Sequence, residues 1–152
     1  MAGNAPQITI PQLRHLKAII ISAAWHPEIC DALVAGAVRG FRAAGIGNPT
    51  TRTVAGSFEL PLAAQLAFDE GFDVAVIVGL VLRGETPHFD YVCQGVTQGV
   101  MDVSLSRSKP IGFGVLMCDN LEQATARAGL PGSKEDKGYD SALAALSVIT
   151  KG

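Results

Sequence analysis

The sequence VAVIVGLVLRGETPHFDY, residues 74–91, gives the strongest indication of how this 152-residue chain folds. Its near-continuous apolar run, Val74 to Leu80, predicts a strand covered on both faces, as in a parallel sheet. Thr86 is suited to cap a following helix, and Pro87 to its first position, where a missing N–H costs nothing. The segment therefore predicts a strand, a polar loop and a helix, the unit from which parallel α/β sheets are built.

The loop between this strand and this helix has the properties of an anion-binding site. We call Gly84, Glu85 and Thr86 the anion loop, because amides there and at His88 should lie at the positive end of the helix. His88 can exchange a proton near neutral pH. The simpler interpretation is an ordinary helix cap beside a structural histidine. An anion site next to a proton-transferring side chain instead favours an enzyme.

The rest of the chain repeats this alternation of strand and helix. Apolar or β-branched runs predict further strands at residues 17–21, 50–55 and 111–117. The second of these is the most polar and is therefore expected at an edge of the sheet. Helical patterns cover residues 28–44, 57–70, 89–103, 120–129 and 136–149. This order predicts a flavodoxin-like, doubly wound three-layer sandwich with a four-stranded parallel sheet.

Composition narrows the class of protein. Hydrophobic residues make up 48% and charged residues 17%, as in a globular protein with a sizeable core. The length fits one domain, residues 17–152, after an N-terminal extension, residues 1–16. A net charge of −2 without a basic stripe argues against nucleic acid as a partner. No apolar run approaches the roughly 20 residues of a membrane span, so no membrane partner is expected.

The number and spacing of the cysteines indicate the cellular compartment and whether a metal site is expected. Cys30, Cys93 and Cys118 are widely spaced and contain no C-x-x-C pair, so neither a disulfide framework nor a zinc site is predicted. All three are expected to be buried thiols on packed elements. The first thirteen residues lack the apolar core of a signal peptide, and the expected compartment is the cytoplasm.

Ligands of doubly wound sheets bind outside the carboxyl ends of the strands. The four predicted strand ends carry Trp25, residues 57–59, residues 83–88 and residues 118–120. These ends combine aromatic, carboxylate, imidazole and amide groups. They predict a compact site for a polar, partly aromatic small molecule.

Taken together, these strand ends resemble those of the 6,7-dimethyl-8-ribityllumazine synthase family of riboflavin biosynthesis. The resemblance covers residues 18–148 in motif order. It rests on GSFELP at 56–61, RGETPHFDY at 83–91, FGVL at 113–116, EQA at 122–124 with RAG at 127–129, and DKG at 136–138. The second segment alone is long and specific, and all five occur in the family's order.

The resemblance implies a transferase that works without cofactor or metal. Its substrates would be 5-amino-6-(D-ribitylamino)uracil and 3,4-dihydroxy-2-butanone 4-phosphate, condensed to 6,7-dimethyl-8-ribityllumazine with release of phosphate and water. It also implies a homopentamer with active sites between adjacent subunits, and names riboflavin synthase as a candidate pathway partner. The long segment Leu130 to Asp136 favours a free pentamer over a sixty-subunit capsid.

The resemblance also assigns roles to individual residues. Contacts to the pyrimidine and ribityl groups are implied for Trp25, Ser57, Phe58, Glu59, Val81, Leu82, Phe113 and Lys137. Phe113 would cover the heterocycle from the adjacent subunit, and Lys137 would lie near the phosphate end. Taken singly, the apolar members of this set would be assigned to the core, and Lys137 to a solvated loop.

Phosphate contacts and proton transfer are implied for a second set of residues. The anion loop, Gly84, Glu85 and Thr86, would bind the phosphate together with Arg127, which reaches into the neighbouring subunit's site. An arginine suits this role because its planar fork matches phosphate geometry. His88 would be the catalytic residue that moves protons. His15 and His26, in contrast, are interpreted as structural histidines, the latter in a turn before Pro27.

Three other functions are compatible with the fold. A lumazine- or flavin-binding protein without catalysis and a structural assembly protein are disfavoured by the joint presence of His88, Arg127 and Lys137. A flavodoxin-like electron carrier is disfavoured because the anion loop follows the third strand here and not the first.

Overall fold

Four parallel strands form the sheet, and the structure, a computed structural model, describes residues 3–4 and 6–149. The strands are β1 (Ala18–Ala23), β2 (Thr50–Val54), β3 (Val74–Leu82) and β4 (Ile111–Cys118). Their order is β2-β1-β3-β4, and Ile20 pairs with Val76, which pairs with Gly112. The central residues of β2 are exposed, so the predicted polar edge strand is confirmed.

Helices cover both faces of the sheet. They are α1 (Pro27–Ala43), α2 (Leu60–Asp69), α3 (His88–Arg107), α4 (Leu121–Thr125) and α5 (Lys137–Ile149). Helices α1 and α5 pack on one face, where Phe41 and Leu146 are fully buried. Helices α2 and α3 pack on the other, where Leu60 and Val96 are fully buried. The flavodoxin-like three-layer sandwich predicted from the sequence is confirmed.

Helix α3 begins one residue later than predicted. Pro87 precedes it in a turn conformation, with φ −68° and ψ 0°, and occupies the N-cap position that was predicted for Thr86. The reason is that the Pro87 carbonyl already accepts the amides of Asp90 and Tyr91, at 3.0 and 3.3 Å. The Thr86 hydroxyl instead accepts a long hydrogen bond from the His88 amide, at 3.4 Å.

Two further helix limits differ from the prediction. Residues 57–59 form a 3-10 turn, and α2 begins only at Leu60, because the Glu59 amide bonds to the Gly56 carbonyl in the tighter pattern. Helix α4 ends at Thr125 and not at residue 129. The Ala126 carbonyl beyond it accepts the amides of Lys134 and Glu135, at 2.8 and 3.0 Å, so the helical hydrogen bonds cannot continue.

Gly79 in β3 allows the 3-10 turn to approach the carboxyl edge of the sheet. A Cβ atom on Gly79 would lie 2.5 Å from the Ser57 Oγ and 3.4 Å from the Ala23 Cβ. Ser57 is buried at this contact. The absence of a side chain at Gly79 therefore sets the position of the residues that follow β2.

The cysteine prediction is correct for two positions and wrong for one. Cys30 and Cys118 are buried, whereas Cys93 is half-buried because it opens on a shallow groove beside Phe58 and Tyr91. Burial raises the pKa of all three thiols.

The segment before β1 contributes to the core. Leu13, inside the predicted N-terminal extension, is buried, and its amide donates to the Ala44 carbonyl at 2.7 Å. The predicted domain limits at residues 1 and 152 lie outside the described residues. Within the described part of the chain, none of the helices has the length and apolar character needed to cross a membrane.

Candidate active site

A cavity of about 680 Å³ opens at the carboxyl edge of the sheet. It brings together many of the residues predicted for the site: Trp25, Ser57, Phe58, Glu59, Val81, Leu82 and His88. These residues come from three different strand ends and from the first turn of α3. The structure therefore assembles in one place side chains that are more than sixty residues apart in the sequence.

The aromatic walls of the cavity face solvent. Trp25 is 66% exposed and Phe58 is 61% exposed, so the interpretation of these side chains as core residues is wrong. Glu59, beside them, is also exposed. Large aromatic surfaces left open next to a carboxylate are typical of a site that is covered by a ligand or by another chain.

The end of β3 forms the floor of the cavity. The pairing of β3 with β1 ends at Val78, opposite Ser22, whereas its pairing with β4 continues to Leu82, opposite Cys118. Val81 and Leu82 therefore extend past β1 along the cavity. Beyond Val78 the backbone of β3 is no longer paired with β1.

The anion loop joins the end of β3 to His88, the first residue of α3. All of its residues are exposed, as is His88. Because α3 is a 20-residue helix, its N-terminal amides carry a substantial positive partial charge. His88 lines the cavity, whereas Gly84, Glu85 and Thr86 are not among its lining residues and lie just before His88 along the chain.

The other predicted residues lie elsewhere in the chain. Phe113 and Lys137 line a second groove, of about 800 Å³, between the start of β4 and α5. Arg127 joins Lys137 through Glu135: its Nε lies 3.5 Å from one Glu135 oxygen, and the Lys137 Nζ lies 2.9 Å from the other. We call Arg127, Glu135 and Lys137 the Glu135 cluster.

The Glu135 cluster is held by backbone pairing. An antiparallel bridge joins Ala128 to Asp136, and the Lys137 amide donates to the Arg127 carbonyl at 3.0 Å. The hydrogen bond from Lys137 lowers the pKa of Glu135, so this carboxylate stays ionised between its two cations. The predicted site is thus divided within one chain into a cavity and a separate basic cluster.

Five residues that line the cavity were not predicted as site residues: His26, Gly56, Leu80, Tyr91 and Val92. His26 lines the wall beside Trp25, with ring centroids 6.4 Å apart, and its backbone is left-handed, with φ 52°. The sequence signal that could have identified His26 as a site residue is its position directly after Trp25, at the end of β1. Tyr91 lies three residues after His88, which places it on the same side of α3.

Over residues 3–4 and 6–149, no group of three or more His, Cys, Asp or Glu side chains is placed to hold a metal ion. The polar side chains that line the cavity are Trp25, His26, Ser57, Glu59, His88 and Tyr91, which can hydrogen-bond an organic ligand.

A parallel α/β sandwich with an aromatic and polar cavity at the carboxyl ends of its strands defines a flavodoxin-like protein that binds a small molecule. The family model of 6,7-dimethyl-8-ribityllumazine synthase matches residues 15–151. The chain therefore belongs to the 6,7-dimethyl-8-ribityllumazine synthase family, whose members are transferases of riboflavin biosynthesis.

Curated relatives support this assignment over nearly their whole length. A 6,7-dimethyl-8-ribityllumazine synthase from Streptomyces coelicolor is 48% identical, covering 97% of this chain and 92% of the relative. Those from Paenarthrobacter aurescens and Renibacterium salmoninarum are each 51% identical. The alignment covers 97% of this chain and 94% of the first, and 96% of both chains for the second.

Proposed function

We propose that this protein condenses 5-amino-6-(D-ribitylamino)uracil with 3,4-dihydroxy-2-butanone 4-phosphate to form 6,7-dimethyl-8-ribityllumazine. The observation that carries the proposal is the cavity itself, in which His88 lies with the exposed ring of Trp25 and the carboxylate of Glu59, while the anion loop directly precedes α3 in the chain. The ring would stack on the pyrimidine, and Glu59 would accept hydrogen bonds from the ribityl hydroxyls.

Catalysis would depend mainly on holding two substrates together. The amine of the uracil attacks the ketone carbon of the phosphate substrate, and loss of water gives an imine. Loss of the proton on C3 of the imine gives an enamine, which expels phosphate from C4 and leaves an enol that becomes a ketone at C3. The ribitylamino nitrogen attacks this ketone, and loss of a second water closes the ring. His88 would accept and return the protons of these steps, while the anion loop amides and Arg127 stabilise the departing phosphate.

We propose that the site is completed by a second subunit in a homopentamer. Phe113 and the Glu135 cluster do not line the cavity of their own chain, which supports their use in a neighbour's cavity. Large apolar side chains on α2 and α3 are more than half exposed, as expected of surfaces that subunits cover: Leu62, Leu66, Met101 and Leu105.

The proposed reaction is tested by mixing the purified protein with both substrates and following the lumazine product by absorbance. A reaction without protein is the control, because the condensation proceeds slowly unaided. Acceleration supports the proposal. Tight product binding without acceleration would instead indicate a lumazine-binding relative.

Light scattering tests the assembly. A particle of about five 15.8-kDa subunits is expected for a free pentamer. A particle near sixty subunits would overturn this part of the proposal.

Arg127→Ala is expected to raise the KM for the phosphate substrate by about ten- to a hundredfold, the effect of losing a charge-assisted hydrogen bond to phosphate. Affinity for the lumazine product should change little, because the product carries no phosphate. Steady-state kinetics and fluorescence titration of the product measure the two quantities.

Arg42→Ala is the matched control, since Arg42 is a helix-end arginine that bonds the Gly47 carbonyl at 3.4 Å. Its KM should match that of the unmodified protein. An equal loss of substrate and product binding in Arg127→Ala would contradict a phosphate-specific role.

A further inference from the structure

We propose that Arg83 is a positioning residue that fixes both the anion loop and Arg127. The inference rests on the proposed function, because it assigns a role in organising that same site. Arg83 immediately follows β3 and is part of the RGETPHFDY segment, but no role was assigned to it by the sequence. It lies outside the cavity.

The Arg83 side chain closes the anion loop. Arg83 precedes the loop, whereas Phe89 and Asp90 follow it. The guanidinium carbon lies 4.4 Å from the centroid of the Phe89 ring, and Nη1 lies 3.5 Å from the Asp90 carboxylate. One side chain thus joins the two ends of the exposed loop, which restricts the positions that the loop amides and His88 can adopt.

The same guanidinium fixes the end of β4. Arg83 Nε donates to the Asp119 carboxylate at 2.9 Å, and the Arg83 amide donates to the Cys118 carbonyl at 2.9 Å. Backbone and side chain therefore both join this residue to the neighbouring strand. The end of β4 and the first turn of α3 are connected through one guanidinium.

From Asp119 the contacts continue to Arg127. The Asp119 amide donates to the Gln123 side-chain oxygen at 2.7 Å. The Arg127 Nη1 in turn donates to the Gln123 carbonyl at 2.8 Å. Asn120 caps the same short helix by accepting the Gln123 amide at 2.9 Å. A continuous polar path therefore runs from Asp90, two residues after His88, to Arg127.

The chemistry of this path requires an arginine. A planar guanidinium can contact a ring face and two carboxylates at once, whereas a lysine ammonium is a point charge. Arg83 is 50% exposed, and exposed ion pairs contribute little to stability. We therefore expect the effect of Arg83 on the geometry of catalysis to exceed its effect on folding.

The test compares Arg83→Met with Arg52→Met. Arg52 is a matched control, since it pairs with Glu70 at 2.8 and 2.9 Å and lies 5.4 Å from the Phe72 ring, outside the cavity. Arg83→Met should lower kcat by roughly ten- to a hundredfold, as expected for a misplaced catalytic group, and raise the KM for the phosphate substrate. The KM for the uracil substrate and the thermal midpoint should stay near those of Arg52→Met.

Arg83→Lys should recover part of kcat, because it restores the charge without the planar contacts. A kcat of Arg83→Met within twofold of Arg52→Met would overturn the inference. So would equal losses of kcat and thermal stability in both variants, which would indicate a merely structural role. If Arg83→Met does not fold, Asp119→Ala tests the same path, because it removes the oxygen that accepts from Arg83 Nε, and unchanged kinetics in that variant would overturn the inference.

A second readout separates this inference from the proposed reaction. Absence of turnover in the unmodified protein would overturn the reaction and not the positioning role. In that case, binding of inorganic phosphate and hydrogen exchange of residues 84–90 test the positioning role of Arg83. Weaker phosphate binding and faster exchange in Arg83→Met, but not in Arg52→Met, support the inference. No change in either would overturn it.

Discussion

His88→Ala is expected to slow turnover by about 10²–10⁴-fold while product affinity changes by less than about twofold. His88 is the first residue of α3 and lines the cavity beside the anion loop. An imidazole there can take a proton from the attacking amine and return it to a leaving oxygen. Removing it should therefore affect the reacting states more than the bound product.

Steady-state absorbance assays at saturating substrate give kcat, and fluorescence titration gives the affinity for the product. His15→Ala is the matched control, because His15 is exposed in the segment before β1 and lies outside the cavity. Its kcat should equal that of the unmodified protein. Equal losses of turnover and product binding in His88→Ala would contradict the assignment of His88 as the proton-transferring group.

Gly138→Ala is expected to lower the free energy of unfolding by about 3 kcal/mol, the upper part of the range for overpacking a closed contact. Gly138 lies in the first turn of α5 against the backbone of Leu33 in α1. A Cβ atom there would overlap the Leu33 carbonyl oxygen and lie 2.9 Å from its Cα. Backbone atoms in the middle of a helix cannot turn aside, so α1 and α5 would have to separate.

Urea unfolding measures this effect at a fixed protein concentration, because the stability of an oligomer depends on concentration and assembly is part of the proposal. Gly47→Ala is the control, because no heavy atom outside the adjacent residues lies within 4 Å of a Cβ placed there. It should change stability by less than about 0.5 kcal/mol. Equal urea midpoints for Gly138→Ala and Gly47→Ala would contradict the prediction, because they would show that α1 and α5 accommodate the added Cβ atom without strain.

Much of the fold could be predicted because the necessary signals are local. The apolar run that begins at Val74 and the polar loop after it specify a buried parallel strand and its connection. The polar residues of Thr50–Val54 specify an edge. Helix limits were predicted less well, because the Pro87 and Ala126 carbonyls bond to amides that a linear pattern does not identify.

The site could be predicted only in part, for a different physical reason. Strand ends meet at one edge in any parallel sheet, so the grouping of Trp25, Glu59 and His88 follows from topology. Periodicity carries no information on side chains at a cavity wall, and His26 was missed for that reason. The separation of the Glu135 cluster from the cavity depends on tertiary structure and could not be read from the order of the motifs.

The division of the predicted site between a cavity and the Glu135 cluster has a genetic consequence if the cluster completes a neighbour's cavity. Each subunit would contribute its cavity to one active site and its Glu135 cluster to another. A cell with one gene copy defective at His88 and another defective at Arg127 would then assemble mixed rings. With random mixing, about a quarter of the centres would receive both intact halves. Two inactive alleles could thus complement each other, which neither could achieve in a homogeneous ring.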